Sequence, residues 1–154
     1  MEEKTKIKKE KNSKGTILAV VRIAGEVKVK PQVKCTLDKL RLRRKYSCIL
    51  IDSSNKSLLG MLDKVKFSVA FGSINTESLS ALIKTRGKKI DGKKFNPDDI
   101  AMEIINGKKL DELGFKPFFR LHPPRGGIDS KIQYPKGVLG NNKEDINKLV
   151  MRML

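Results

Sequence analysis

The chain has 154 residues, with 34 Lys and Arg against 17 Asp and Glu, for a formal net charge of +17. Hydrophobic residues make up 38% and charged residues 33%, so one ordinary core fits, with part of the chain left to fold against a partner. That excess of positive charge repels itself unless a polyanion offsets it, which puts nucleic acid ahead of an anionic membrane.

No apolar run approaches the roughly 20 residues of a membrane-spanning helix. The opening MEEKTKIKKEKNSKG is Lys-rich without the apolar stretch of a signal peptide, so residues 1–15 read as a basic flexible arm. Cys35 and Cys48 have no second pair and no flanking histidine, which points to neither zinc nor a disulfide framework. Both sit in apolar-patterned segments as small hydrophobes, and a reducing cytoplasm suits them.

From Thr16, TILAVVRI is apolar enough for a central strand. Gly25 and Pro31 bracket a loop carrying Lys28 and Lys30, and Pro31 suits the first turn of a helix. In that helix Val33, Leu37 and Leu40 form the buried stripe, with Lys34, Arg41 and Lys45 on another face. Tyr46 to Ile51 reads as a second strand. Asp52 to Asn55 offer turn and cap side chains to a helix through Leu58, Leu59 and Leu62. Val65, Phe67, Val69 and Phe71 then alternate with Lys66, Ser68 and Ala70, the period of a half-buried strand with Phe67 and Phe71 in the core. Residues 16–73 thus read β-α-β-α-β. The simplest packing is an α+β fold with one small antiparallel sheet and helices on one face.

Residues 74–154 read as a mostly helical extension packed on that core. Asn75 or Thr76 starts a helix carrying Leu79, Leu82 and Ile83 that ends near Gly87. Asn96-Pro97-Asp98-Asp99 is a second helix start, with Ile100 and Ile104 buried and Gly107 as the stop. Leu110 and Leu113 mark a further helical turn, Phe115, Phe118 and Phe119 an aromatic cluster with a short strand, and Ile146, Leu149, Val150 and Met153 a last amphipathic helix capped at Asn142.

Between these elements lies RLHPPRGG, Arg120 to Gly127, with the only histidine of the chain. His122 has no serine elbow, HExxH or cysteine partner, so a polar contact suits it better than a general base. Arg125-Gly126-Gly127 lacks the lysine and spacing of a phosphate-binding P-loop. Pro123 and Pro124 stiffen the backbone, Gly126 and Gly127 allow close approach, and Arg120 and Arg125 supply forked donors for phosphate. Two further basic segments sit at helix ends: LRLRRKYS, with Arg41, Arg43, Arg44 and Lys45, and KTRGKK, with Arg86, Lys88 and Lys89. Either alone is an ordinary solvated face or helix-dipole compensation. Together they describe a surface that meets phosphates in several places. With few aromatics and no Trp, recognition of folded RNA by shape and backbone fits better than a stacking platform, and no DNA-reading motif appears.

Three segments in order carry a family resemblance: AVVRIAGEVKVKPQVKCTLDKLRLRRKYSCIL (19–50), GMLDKVKFSVAFG (60–72) and LIKTRGKKIDGKK (82–94). A fourth, PPRGGIDSKIQYPKGVLGNNKEDINKLVMRML (123–154), follows them. The chain resembles the archaeal form of the large-subunit ribosomal protein L-thirty family, whose eukaryotic relatives are called L-seven. The resemblance implies a ferredoxin-like core, ribosome-bound residence in the cytoplasm, and contact with the large 23S-type rRNA. It implies no cofactor, metal or catalytic site, and leaves 5S rRNA and neighbouring ribosomal proteins open as partners. By position it carries RNA contact onto Arg22, Lys28, Lys30, Arg41, Arg43, Arg44, Arg86, Lys88, Arg125 and Gly127. The residue reading adds Lys34, Lys45, Lys89, Arg120, His122 and Gly126. The alternative is a non-ribosomal RNA-binding or RNA-processing accessory factor.

Overall fold

The computed structural model describes residues 16–90, 92 and 94–154; the expected basic arm, residues 1–15, lies outside them. Five strands form one sheet in the order β4-β2-β1-β3-β5. β1 (Ile17–Arg22) is central and pairs antiparallel with β2 (Ser47–Asp52) and β3 (Val69–Ser73). β4 (Phe119–Arg120) adds to β2 antiparallel, and β5 (Gly140–Asn141) runs parallel to β3. The three long strands are therefore antiparallel as expected, and the sheet becomes mixed only through its last, two-residue edge strand.

The alternation of β1 sorts the helices. Val20 faces α1 (Pro31–Lys39) and α2 (Lys56–Val65), packing with Leu37, Leu40, Leu62 and Val65. Ala19 and Val21 face α3 (Thr76–Arg86), α4 (Pro97–Ile105) and α5 (Ile146–Met153), packing with Leu82, Ile83, Ile104, Leu149 and Met153. The first two helices thus cover one face, and the helices of residues 74–154 cover the other. β1 is buried on both sides, which explains why it reads as a continuous apolar run. At the rim, Phe118 and Phe119 point to opposite faces.

Several local expectations are corrected. α1 ends at Lys39, and Arg41 follows with φ 60°, so Arg41 and Lys45 leave the helix for a turn. α2 runs on to Val65, which belongs to its helical stripe with Leu62, and β3 starts only at Val69. Phe67 therefore lies in the connecting turn and is 66% exposed, not in the core. Leu110 to Gly114 form hydrogen-bonded turns rather than helix. Cys35 is exposed while Cys48 is buried.

Candidate nucleic-acid interface

The registers define two ends of the sheet. At one lie the ends of β1 and β4 and the starts of β2 and β3: Arg22 opposite Val69, Val21 opposite Cys48, and Ser47 opposite Arg120. The loop of residues 23–30, the turn of residues 40–46 and the strip from Arg120 onward all leave from this end.

Arg22 organises it. A lone charge in an apolar strand, it is only 1% exposed. Nη1 donates to Leu42 O at 2.7 Å and Arg43 O at 2.6 Å. Nε donates to Ala24 O at 3.0 Å, and Nη2 to Gly25 O at 3.3 Å. One guanidinium thus ties both loops together, since its fork of donors matches several carbonyls at once. The expectation that Arg22 touches RNA is therefore corrected: its nitrogens are spent inside the protein, and it positions residues that do face outward.

Those residues sit on a backbone the sequence does not favour. Lys28, Arg41 and Tyr46 all have φ near +60°, a left-handed conformation costing non-glycine residues about 1 kcal/mol each. Arg22 and the bond from Tyr46 N to Arg22 O (2.7 Å) hold it. Lys28, Lys30, Arg44, Lys45 and Arg120 are exposed with no ion-pair partner among the described residues. Arg41 and Arg43 meet Asp111 and Asp38 at 3.8 and 3.7 Å, and Lys34 meets Glu26 at 3.5 Å, all between exposed side chains. Such pairs contribute little and yield readily to phosphate. No acid occurs from Lys39 to Ile51 or from Leu113 to Ile128, so the turn and the strip beside it carry only positive charge of their own, met from outside by Asp38 and Asp111.

The strip continues across the sheet edge. Leu121 N donates to Tyr46 O at 2.9 Å, and His122 N to Met153 O at 3.0 Å. The Pro123–Gly127 loop then lies on the end of α5, where Arg152 clamps it: Nε donates to Arg125 O at 2.9 Å and Nη2 to Gly127 O at 2.7 Å. Gly126 and Gly127 have φ of 79° and 73°, which glycine adopts freely. The clamp leaves the Arg125 side chain and the His122 ring exposed. Of the third basic segment, Lys88 is exposed and Lys89 half-buried in a bridge to Phe115. Arg86 is partly buried, donating to the Leu154 main-chain oxygen at 2.9 Å, which ties it to α5 more than to solvent. Arg152 was not among the expected site residues. Its sequence signal, a lone cation in the last turn of an amphipathic helix, is the ordinary pattern for dipole compensation.

The opposite end of the sheet is built differently. Asn55 Oδ1 accepts from Leu58 N and caps α2 at 3.3 Å. Asn147, 9% exposed, accepts from Asn75 N at 2.9 Å and donates to Ser73 O and Glu144 O at 3.1 and 2.8 Å. Nearby, Asp145 accepts from Lys148 at 2.9 Å and from the Tyr134 hydroxyl at 2.8 Å. The Lys148 ammonium and then the Tyr134 hydroxyl hold the Asp145 carboxyl below its ordinary value, and that carboxylate raises both partners. Burial pushes the Cys48 thiol up to about 12, which keeps it neutral. Among the described residues, no group of His, Cys, Asp and Glu could hold a metal ion, and no helix is long and apolar enough to cross a membrane.

Comparison with known proteins decides the family. The family model for ribosomal protein L30p/L7e matches residues 18–69, from β1 to the first residue of β3. The large ribosomal subunit protein uL30 of Archaeoglobus fulgidus is 40% identical over 89% of this chain and 99% of its own length. The chain belongs to the ribosomal protein L30p/L7e family. The proteins of the same name from Ignicoccus hospitalis and Hyperthermus butylicus are 37% and 36% identical, over 88% and 96% of this chain. These alignments run well past the family model into residues 74–154, so the likeness includes the layer that covers the second face. The relatives are named as proteins of the large ribosomal subunit, and the family is not enzymatic.

Proposed function

We propose that this chain is a structural constituent of the large ribosomal subunit, residing in the cytoplasm on the ribosome, and that it holds folded large-subunit rRNA through the basic end of its sheet. One observation carries the reading: cations without partners gather on two loops that a buried arginine fixes in a left-handed backbone. Lys28, Lys30, Arg44, Lys45 and Arg120 are the phosphate contacts of that end, with Lys34, Arg41 and Arg43 released from their surface acids to join them. Arg125, presented on the clamped loop, and Lys88 extend the contact toward α3, with His122, Gly126 and Gly127 in close approach and Lys89 and Arg86 at the margin. Cations on a fixed backbone frame suit the phosphate backbone of a folded RNA, which is read by shape.

Sedimentation of a cell lysate through a gradient tests the residence. The protein is expected to migrate with the large subunit and to survive a moderate salt wash; a position in the free-protein fractions overturns the reading. Titration of the full chain onto protein-free large-subunit rRNA tests the contact. The logarithm of the affinity should fall linearly with the logarithm of salt, with a slope of roughly one per phosphate neutralised. A flat response contradicts phosphate contact.

A further inference from the structure

The α2–β3 turn leaves apolar surface in water inside the basic end. Phe67 is 66% exposed, and two segments carrying further exposed apolar residues lie against its turn. Ile23 N and Ala24 N donate to Ser68 O at 3.1 and 3.0 Å, which brings up the loop bearing Val27, 87% exposed. Gln133 Nε2 donates to Lys66 O at 3.3 Å, which brings up Ile132, 58% exposed. The Lys66 ammonium, held by Asp63 at 3.0 Å, lies 5.7 Å from the Phe67 ring centroid. Lys28, Lys64 and Lys131, exposed and without ion-pair partners among the described residues, flank the three segments.

A planar apolar ring with one lysine at its face and exposed lysines on the adjoining segments is complementary to one ligand chemistry: a flat, uncharged base attached to phosphates. We propose that Phe67 is a stacking platform for an unpaired nucleobase of the bound RNA, with Lys28, Lys64 and Lys131 on the adjoining phosphates. An apolar side chain of a neighbouring protein would cover Val27 and Ile132 equally well, but it would need neither a planar ring nor the surrounding lysines. Base–aromatic stacking tolerates any base and adds to the phosphate contacts of a rigid frame. The inference rests on the rRNA-binding reading above.

The test uses the full chain titrated onto protein-free large-subunit rRNA across a salt series, as wild type, Phe67→Ala, Phe67→Leu and Phe67→Trp. Phe67→Ala should lose about tenfold in affinity at every salt with the slope unchanged, because a stack and not a charge is removed. Phe67→Leu, apolar but not planar, should lose as much. Phe67→Trp should bind like wild type, and its fluorescence should be quenched by RNA; the chain has no other Trp, so the signal is local. Wild-type affinity in Phe67→Ala or Phe67→Leu, or an unquenched Trp, overturns the stacking role and gives the apolar surface to a protein neighbour. Wild type failing to show the salt-dependent binding would overturn the phosphate reading and this one with it.

Discussion

The two ends of the sheet satisfy their polar groups in opposite ways. At the end of Asn55, Asn147 and Asp145, side chains cap helices, bridge turns and pair with neighbouring charges, and lysines such as Lys148 sit among acids. At the other end a single buried arginine meets the backbone's needs, and the exposed cations around it are left unpaired or in long, weak pairs. A polar group that finds its partner within the chain stabilises the fold; one held rigid without a partner lowers the ordering cost of binding something else. The first end is built to fold and the second to bind, and strain is weighted the same way: Lys28, Arg41 and Tyr46 occupy left-handed backbone at the binding end, against Lys143 alone at the other.

The largest test of that division is Arg22→Met. It keeps the volume of the side chain while leaving the carbonyls of Ala24, Gly25, Leu42 and Arg43 without their donor. Stability in urea should fall by about 3 kcal/mol or more, since buried acceptors lose their partner and the strained turns lose their tie. A change of only a few tenths would mean that the binding end does not stand on Arg22. Next in size is Arg43→Glu with Arg44→Glu. RNA affinity should drop on the order of a hundredfold and the salt slope shrink by about two, while the melting curve stays within about 0.5 kcal/mol of wild type. If the double variant unfolded instead, these arginines would belong to the frame and the contrast between the ends would collapse.

Asn147→Ala probes the other end. It removes one acceptor and two donated bonds between α5, β3 and the entry to α3. A loss of about 2 kcal/mol in urea is expected, with RNA affinity per folded molecule unchanged. A parallel loss of affinity would show that the folding end also reaches RNA.

Much of this was legible in the residues. Strand and helix order followed from periodicity and caps, and the basic segments stood out by composition. Four features were not legible, two for a local reason and two because they join distant positions. Arg22 looks like any basic residue of a matched segment, although a lone charge inside TILAVVRI is the mark of a buried one. Val65 satisfies both a helical spacing from Leu62 and an alternation toward Val69, so the pattern alone does not say that α2 wins and that Phe67 is left outside. The clamp of Arg152 on the Pro123–Gly127 loop joins positions 27 and 25 residues apart, which no local pattern encodes. The same distance hides the second covered face, because only tertiary packing shows that residues 74–154 close over Ala19 and Val21.

The smallest effect sharpens the comparison from the side of pH. The Tyr134–Asp145–Lys148 group lies on the folding end and is exposed, so its contribution to stability is slight and screened by salt. Its sign is fixed nonetheless. Asp145 is held below 3.8, so what it adds is present above that value and is lost as pH falls through its lowered folded-state titration. Lys148 is held above 10.5, so what it adds is full below that value and is lost as pH rises through its raised one. Tyr134 is likewise held above 10.0, so the group contributes a flat plateau between 3.8 and 10.0. Lys148→Met should therefore move the Asp145 carboxyl titration, followed by NMR, up toward 3.8, and leave the shape of the stability profile between 3.8 and 10.0 as it was. The binding end has no counterpart to this group, and RNA affinity should vary with salt far more than with pH. A pH-dependent affinity within the plateau would implicate a titrating contact, with the exposed His122 the first to substitute, and would give the strip a role beyond fixed positive charge.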